Sequence, residues 1–173
     1  MNFAHDPNSL ASEDAADPAA FRVGQATGWV RRLAYLSAVI AVGNVATHLH
    51  RLPQEMPTHF GITGEPDAWG PPGAAIAGIV LISTLAAVFA WLSTRRVPLN
   101  LPFPIHEGNE ARIRRTAGQM LAQIAFAAGL LAVSMSYAAL QLWNTSALTL
   151  GAVALMGGSV TVGMIRLFAQ GSR

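Results

Sequence analysis

Among residues 48–67 stand His48, His50, His59, Glu65 and Asp67, side chains able to ligate a metal ion or exchange protons. Imidazoles and carboxylates suit zinc or another divalent cation, and His48, His50, His59 and Asp67 are the candidate ligands. If a helix runs through residue 50, His48 and His50 point about 200° apart and cannot share one ion; on an extended end they share a face. His59 has a second reading, a hydrogen bond to Glu65 or Asp67 that staples the segment. Hydrolytic chemistry is less well supplied. The chain has no G-x-S-x-G, no H-E-x-x-H and no paired carboxylates within its apolar runs. It has no cysteine, which excludes thiolate nucleophiles, Cys-ligated zinc and disulfides. The expectation is a protein that is not an enzyme, with no catalytic residues and no cofactor.

The segment that carries these groups, residues 50–72, is punctuated by Pro and Gly. Pro53 and Pro57 push the residues before them toward extended geometry and stop a preceding helix. Gly61 and Gly64 can take positive φ, Pro66-Asp67 suits the centre of a turn, and Pro71-Pro72 suits the first turn of a helix. Phe60 and Trp69 are apolar anchors. The spacing predicts a compact, hairpin-like cap.

Four long apolar runs must position that cap. They cover about residues 30–49, 73–94, 117–142 and 147–169, with Arg166 the one charge within the last two. A bilayer core about 30 Å thick needs roughly 20 helical residues at about 1.5 Å rise. With 52% hydrophobic and 12% charged residues, the chain is far from a soluble domain, where about 25% are charged. The fold class expected is all-α: an integral membrane four-helix bundle with a structured extracytoplasmic loop between helices 1 and 2. Residues 1–21, acidic and without apolar periodicity, read as a disordered cytoplasmic tail, and residues 22–173 as a single membrane domain. The first apolar run begins too far along the chain for a cleaved signal peptide.

Charge sets the orientation. All eleven basic residues are Arg; Arg22, Arg31, Arg32, Arg95, Arg96, Arg112, Arg114, Arg115, Arg166 and Arg173 fall on one side of the four runs and Arg51 on the other. Ten against one predicts both termini in the cytoplasm and the 50–72 loop outside. Trp29 and Trp91 then lie near inner ends and Trp69 and Trp143 near outer ends, as an interfacial belt requires. This spread of arginine answers to topology, so no nucleic-acid partner is expected.

Polar groups inside the runs are few. Asn44, Gln119 and Gln123 could line a pore or make interhelical hydrogen bonds; no run has an acidic residue or lysine at its centre, which argues against a pump. Small residues four apart, such as Ala125 and Gly129, Ala154 and Gly158, and Ser159 and Gly163, allow close helix packing. Arg112, Arg114 and Arg115 beside Glu107 and Glu110 anchor the third helix at the inner leaflet or bind a cytoplasmic regulator.

The loop pattern Leu52-Pro53-x-x-Met56-Pro57-x-His59-Phe60-x-x-x-Gly64-x-Pro66-Asp67-x-Trp69-Gly70 resembles the first-loop signature of the bacterial domain of unknown function 1648. That domain also forms the N-terminal part of SdpI-type immunity membrane proteins. Pro102-Phe103-Pro104-Ile105 and Asn109-x-x-Arg112 are similar to the family's cytoplasmic loop, and the likeness covers roughly residues 30–170. Gly61, Met56 and Pro71-Pro72 depart from the family, which usually has Asn, a β-branched aliphatic residue and Ser-Lys there. The resemblance implies an integral membrane protein of largely unassigned activity, tied in places to toxin immunity and signalling.

The function expected is thus a non-catalytic bacterial inner-membrane protein that senses, confers immunity or interacts through the outer loop. A small transporter or permeation subunit and an extracytoplasmic divalent-metal binder are the alternatives. Its partners would be the lipid bilayer, an extracytoplasmic peptide or a cytoplasmic regulator, and further copies of itself.

Overall fold

The computed structural model describes residues 24–95, 98 and 100–171, and of Glu107 only the backbone. The tail read at residues 1–21 lies outside them, as do Arg22, Arg96 and Arg173. Helix α1 (Gln25–Thr47) leads through one 3₁₀ turn (Leu49–Arg51) to strands β1 (Met56–Phe60) and β2 (Pro66–Gly70). Helices α2 (Pro72–Leu92), α3 (Glu107–Ala139) and α4 (Ser146–Gly171) follow.

The expectation of an all-α chain is therefore corrected: the loop between helices α1 and α2 forms a two-stranded antiparallel sheet. Helix bounds also move. Thr47 ends α1 before His48, and α3 begins at Glu107, ten residues ahead of its apolar run. The charged first turns of α3 are helical because backbone hydrogen bonding does not require an apolar side chain. A capping box starts them: the His106 N–H donates to Asn109 Oδ1 at 2.9 Å, and the His106 side chain accepts from the N3 backbone.

Among the described residues three helices are long and apolar enough to cross a membrane: α2, α3 from Gly108 and α4. Helix α1 falls short of that measure. Arg31 and Arg32 interrupt it, leaving residues 33–47, about 22 Å of helix against a core of about 30 Å.

Helix α3 is the hub. It packs on α1, α2 and α4; α1 and α2 also touch each other, whereas α4 makes no comparable contact with either. The expected four-helix bundle is thus a three-helix core with α4 docked on one flank of α3. Small residues make the seams. The buried face of α1 is Ala34, Ser37, Ala38, Ala41 and Val45, and that of α3 includes Ala125, Ala128 and Ala132. A Cβ added at Gly129 would stand 2.8 Å from Ser37 Cβ and 3.1 Å from the Ala34 carbonyl oxygen, so α1 and α3 meet nearly backbone to backbone. Gly163 admits Met120 against α4 in the same way. One polar bond crosses the α1–α3 seam, from Asn44 Nδ2 to Ser136 Oγ at 3.2 Å.

The ends of α3 and α4 nearest the sheet are tied by buried hydroxyls. Ser134 Oγ lies 2.6 Å from Thr149 Oγ1 and donates to the Thr145 carbonyl at 3.2 Å. At the other end Thr116 and Gln170 exchange hydrogen bonds of 3.2 and 3.0 Å, and Phe103 packs edge-on against Phe168 with ring centroids 5.7 Å apart.

This packing makes two glycines separable. Gly129→Ala overpacks the α1–α3 seam and should lower stability by about 1–3 kcal/mol. Gly157, where an added Cβ meets nothing within 4 Å, should accept Ala with unchanged or slightly raised stability. Thermal unfolding of both variants in one detergent checks the contrast; equal melting points would contradict it.

Candidate functional site

The hairpin is built from its turn outward. Gly64 has φ 76°, in the region open to glycine, and its N–H donates to the Gly61 carbonyl at 2.9 Å. The Gly61 N–H then donates to Glu65 O at 2.8 Å and starts the ladder. Met56 pairs with Gly70, Pro57 with Trp69, His59 with Ala68 and Phe60 with Pro66, with register shifts on both sides of His59. The two prolines that cannot donate to a ladder, Pro57 and Pro66, are accommodated by this irregular pairing.

Two contacts hold the hairpin down. At its base Met56 is fully buried among Ala75, Ile79, Ala139 and Leu140, with Leu52 against the same cluster, and Pro57 is buried beside it. At its turn Gly64 is buried against the first residue of α4: an added Cβ would stand 2.6 Å from the Ser146 carbonyl oxygen. Between these points the sheet stays open. Asp67, Ala68 and Trp69 of β2 are exposed, and Ile62 at the tip is 98% exposed.

His59 and Asp67 come together across the strands, with Nδ1 2.5 Å from Oδ1. Both side chains are more than half exposed, at 69% and 52%. An ion pair so exposed is worth at most about 1 kcal/mol. Glu65, the other partner considered for His59, shares no hydrogen bond with it among the described residues. A groove of about 660 Å³ opens beside the pair, lined by His59, Phe60, Ile62, Glu65, Asp67 and Val153 of α4.

The other residues singled out from sequence are distributed differently. His48 Nδ1 donates to the Asn44 carbonyl at 2.8 Å, turning back on its own helix. Among the described residues no three His, Cys, Asp or Glu side chains converge to hold a metal ion, so His48, His50, His59 and Asp67 are not brought together as a ligand set. Nor do Asn44, Gln119 and Gln123 line one path. Asn44 bonds to Ser136 in the α1–α3 seam. Gln119 and Gln123 line a groove between α3 and α4, thirteen or more residues and about 20 Å further along α3. Arg114 pairs with Glu110 one helical turn away, at 2.5 Å.

Residues 36–84 match the model of the Domain of unknown function (DUF1648). The DUF1648 segment begins inside α1 and ends inside α2, so it contains the whole hairpin, and α3 and α4 lie beyond it. It is the family whose loop signature residues 52–70 resemble. Neither the curated proteins nor the solved structures hold a match to the chain.

Sequence reading missed three features that matter here. Met56 appears in the linear pattern as a departure from the family but is the hairpin's buried anchor. Gly64 was legible as a turn residue, not as the contact with α4. The groove that gathers Gln119, Gln123 and Arg166 had one visible sign, the i, i+4 spacing of the two glutamines.

The two fastenings should differ in weight. Ala at Gly64 forces a side chain into a left-handed conformation, costing about 1–2 kcal/mol before the clash with Ser146. In a double-mutant cycle His59→Ala and Asp67→Ala should couple by no more than about 1 kcal/mol. Limited proteolysis of the hairpin should accelerate more in Gly64→Ala than in the His59, Asp67 double variant; the reverse order would contradict this ranking.

Proposed function

We propose that the chain is a four-span protein of a bacterial inner membrane, both termini cytoplasmic, that uses its outer hairpin as a non-catalytic recognition element. The hairpin reads an extracytoplasmic peptide or a condition of the cell envelope and conveys it to the helices beneath. The single observation that carries this reading is the hairpin's contrast of held base and open face. Met56 and Gly64 are buried against the helices, while His59, Asp67, Ala68, Trp69 and Ile62 are presented outward. A loop serving only as a connection has no need of an ordered sheet with an aromatic and an ion pair on its solvent side.

The orientation is supported by where arginine meets tryptophan. Arg32 lies over the Trp29 ring at 4.8 Å and Arg95 over Trp91 at 4.7 Å, a pairing suited to the headgroup layer. Both pairs lie toward the same side in the alternating topology. Helix α1 serves as the fourth crossing although its uninterrupted stretch is short: Arg31 and Arg32 extend toward headgroups, and modest bilayer thinning meets the rest. Immunity or signalling through a peptide or a cytoplasmic regulator is the role that this arrangement would serve.

The absence of cysteine makes the topology directly testable. Single Cys replacements at Ile62 and Gly108, both exposed, should label oppositely with a membrane-impermeant maleimide: Ile62→Cys in intact cells, Gly108→Cys only after permeabilisation. Labelling of both in intact cells would refute the orientation. In a strain lacking the gene, Asp67→Ala and Trp69→Ala should insert normally yet fail to restore its phenotype. Full complementation by both would refute the recognition role.

A further inference from the structure

The groove between α3 and α4 has an unusual lining for its depth. On α3 it shows Thr116, Gln119 and Gln123, on α4 Gly158, Ser159 and Arg166, and its volume is about 320 Å³. Thr116 is engaged with Gln170, and Ser159 Oγ donates to the Leu155 carbonyl at 2.7 Å. The side chains of Gln119, Gln123 and Arg166 make no hydrogen bond or ion pair among the described residues. Three strong donor groups thus line one groove without a protein acceptor.

Their level along the helix says which acceptor fits. From Ser146, at the hairpin end of α4, to Arg166 is twenty residues, about 30 Å, the thickness of the hydrocarbon core. Counting the same length from Ala139 at the corresponding end of α3 reaches Gln119. Both helices therefore bring these side chains to the far headgroup layer, with Gln123 about 6 Å inside it. At that level the donors border hydrocarbon on one side, where an unpaired amide is costly, and headgroups on the other, where phosphate is the anionic acceptor.

We propose that this groove holds the headgroup of an anionic phospholipid, with Arg166 as its cationic contact and the amides of Gln119 and Gln123 as further donors. The guanidinium offers two parallel N–H groups to a phosphate, and the amides add neutral donors from the opposite helix. The apolar part of the groove, Ala154, Leu155 and Val162, continues toward the middle of the membrane and receives the start of an acyl chain. Gly158 keeps the groove open, since a Cβ there would meet nothing within 4 Å. The inference rests on α3 and α4 crossing a bilayer and is independent of what the outer hairpin recognises.

The test is native mass spectrometry of the delipidated full chain offered equal amounts of phosphatidylglycerol and phosphatidylcholine. One phosphatidylglycerol should be retained in preference. Arg166→Gln should reduce that retention about tenfold and remove the preference, and Arg166→Lys should keep much of it. Gly158→Leu, which fills the groove without meeting a neighbour, should lower retention of both lipids, whereas Gly157→Leu, outside the groove, should not. The proposal is overturned by equal retention of the two lipids in the wild-type chain, by unchanged retention in both Arg166→Gln and Gly158→Leu, or by a dimer in place of the lipid adduct. Inorganic phosphate supplies the last arm: if it displaces the lipid at equal concentration, the groove is a free-anion site and the lipid assignment fails. If the chain instead washes from membranes at alkaline pH, it is the spanning of α3 and α4 that fails, a result separate from the adduct count.

Discussion

The distance of closest approach between α3 and its neighbours governs the molecule. In lipid, burying an apolar side chain gains little over leaving it against acyl chains, so helices associate through contact density and a few polar bonds. Gly129 against Ala34 and Ser37, and Gly163 against Met120, are where the chain obtains that density. Most of the buried apolar residues are alanines, and a core so built works only if backbones nearly touch, because Ala offers few atoms for contact at longer range. The Asn44–Ser136 bond adds direction to one of these seams, since an amide in a low-dielectric interface needs its partner in place.

The same seam supports the hairpin. Met56 belongs to one cluster with Ala41 and Val45 of α1, Ala75 and Ile79 of α2 and Ala132 and Ala139 of α3. The base of β1 is thus packed into the junction of three helices, and any sliding of α1 along α3 must move it. Gly64 adds a contact with α4, which otherwise packs on the core through α3. The hairpin touches every part of the helical layer through residues that are buried, and keeps its titratable pair and Trp69 outside. Something bound on the open face would therefore bias the helix seams by whatever it changes in strand pairing, where the register shifts beside His59 leave the ladder least regular.

Much of this was written locally in the chain. Gly61 and Gly64 announce the turn and Pro53 and Pro57 the extended chain before it, whereas Pro66-Asp67, which suit the centre of a turn, open strand β2 instead; the seven residues between His59 and Asp67 are what a short hairpin needs to face them across its strands. Apolar runs announce the helices but not their ends. The start of α3 at Glu107 is invisible to a hydrophobicity reading because its first turns bear charge, and the stop of α1 at Thr47 depends on His48 and Thr47 bonding back to Gly43 and Asn44 carbonyls. Which helix touches which is written nowhere in one dimension. The polar residues of the spans look like one set in sequence, yet Asn44 joins α1 to α3 whereas the two glutamines of α3 face α4.

That divergence follows from the way α4 is attached. Ser134, Thr145 and Thr149 fasten one end of it to α3, and Thr116 with Gln170 and Phe103 with Phe168 fasten the other. Between the fastenings Gly158 and Ala154 supply no bulk, and no second helix closes on the gap, because α1 and α2 lie on other faces of α3. A helix pinned at both ends with small residues between must leave a groove, and the side chains that border it decide what fills the space. With leucines there, acyl chains would suffice. With Gln119, Gln123 and Arg166 at headgroup depth, apolar filling would strand three donor groups, so the groove is built for an occupant with oxygen acceptors.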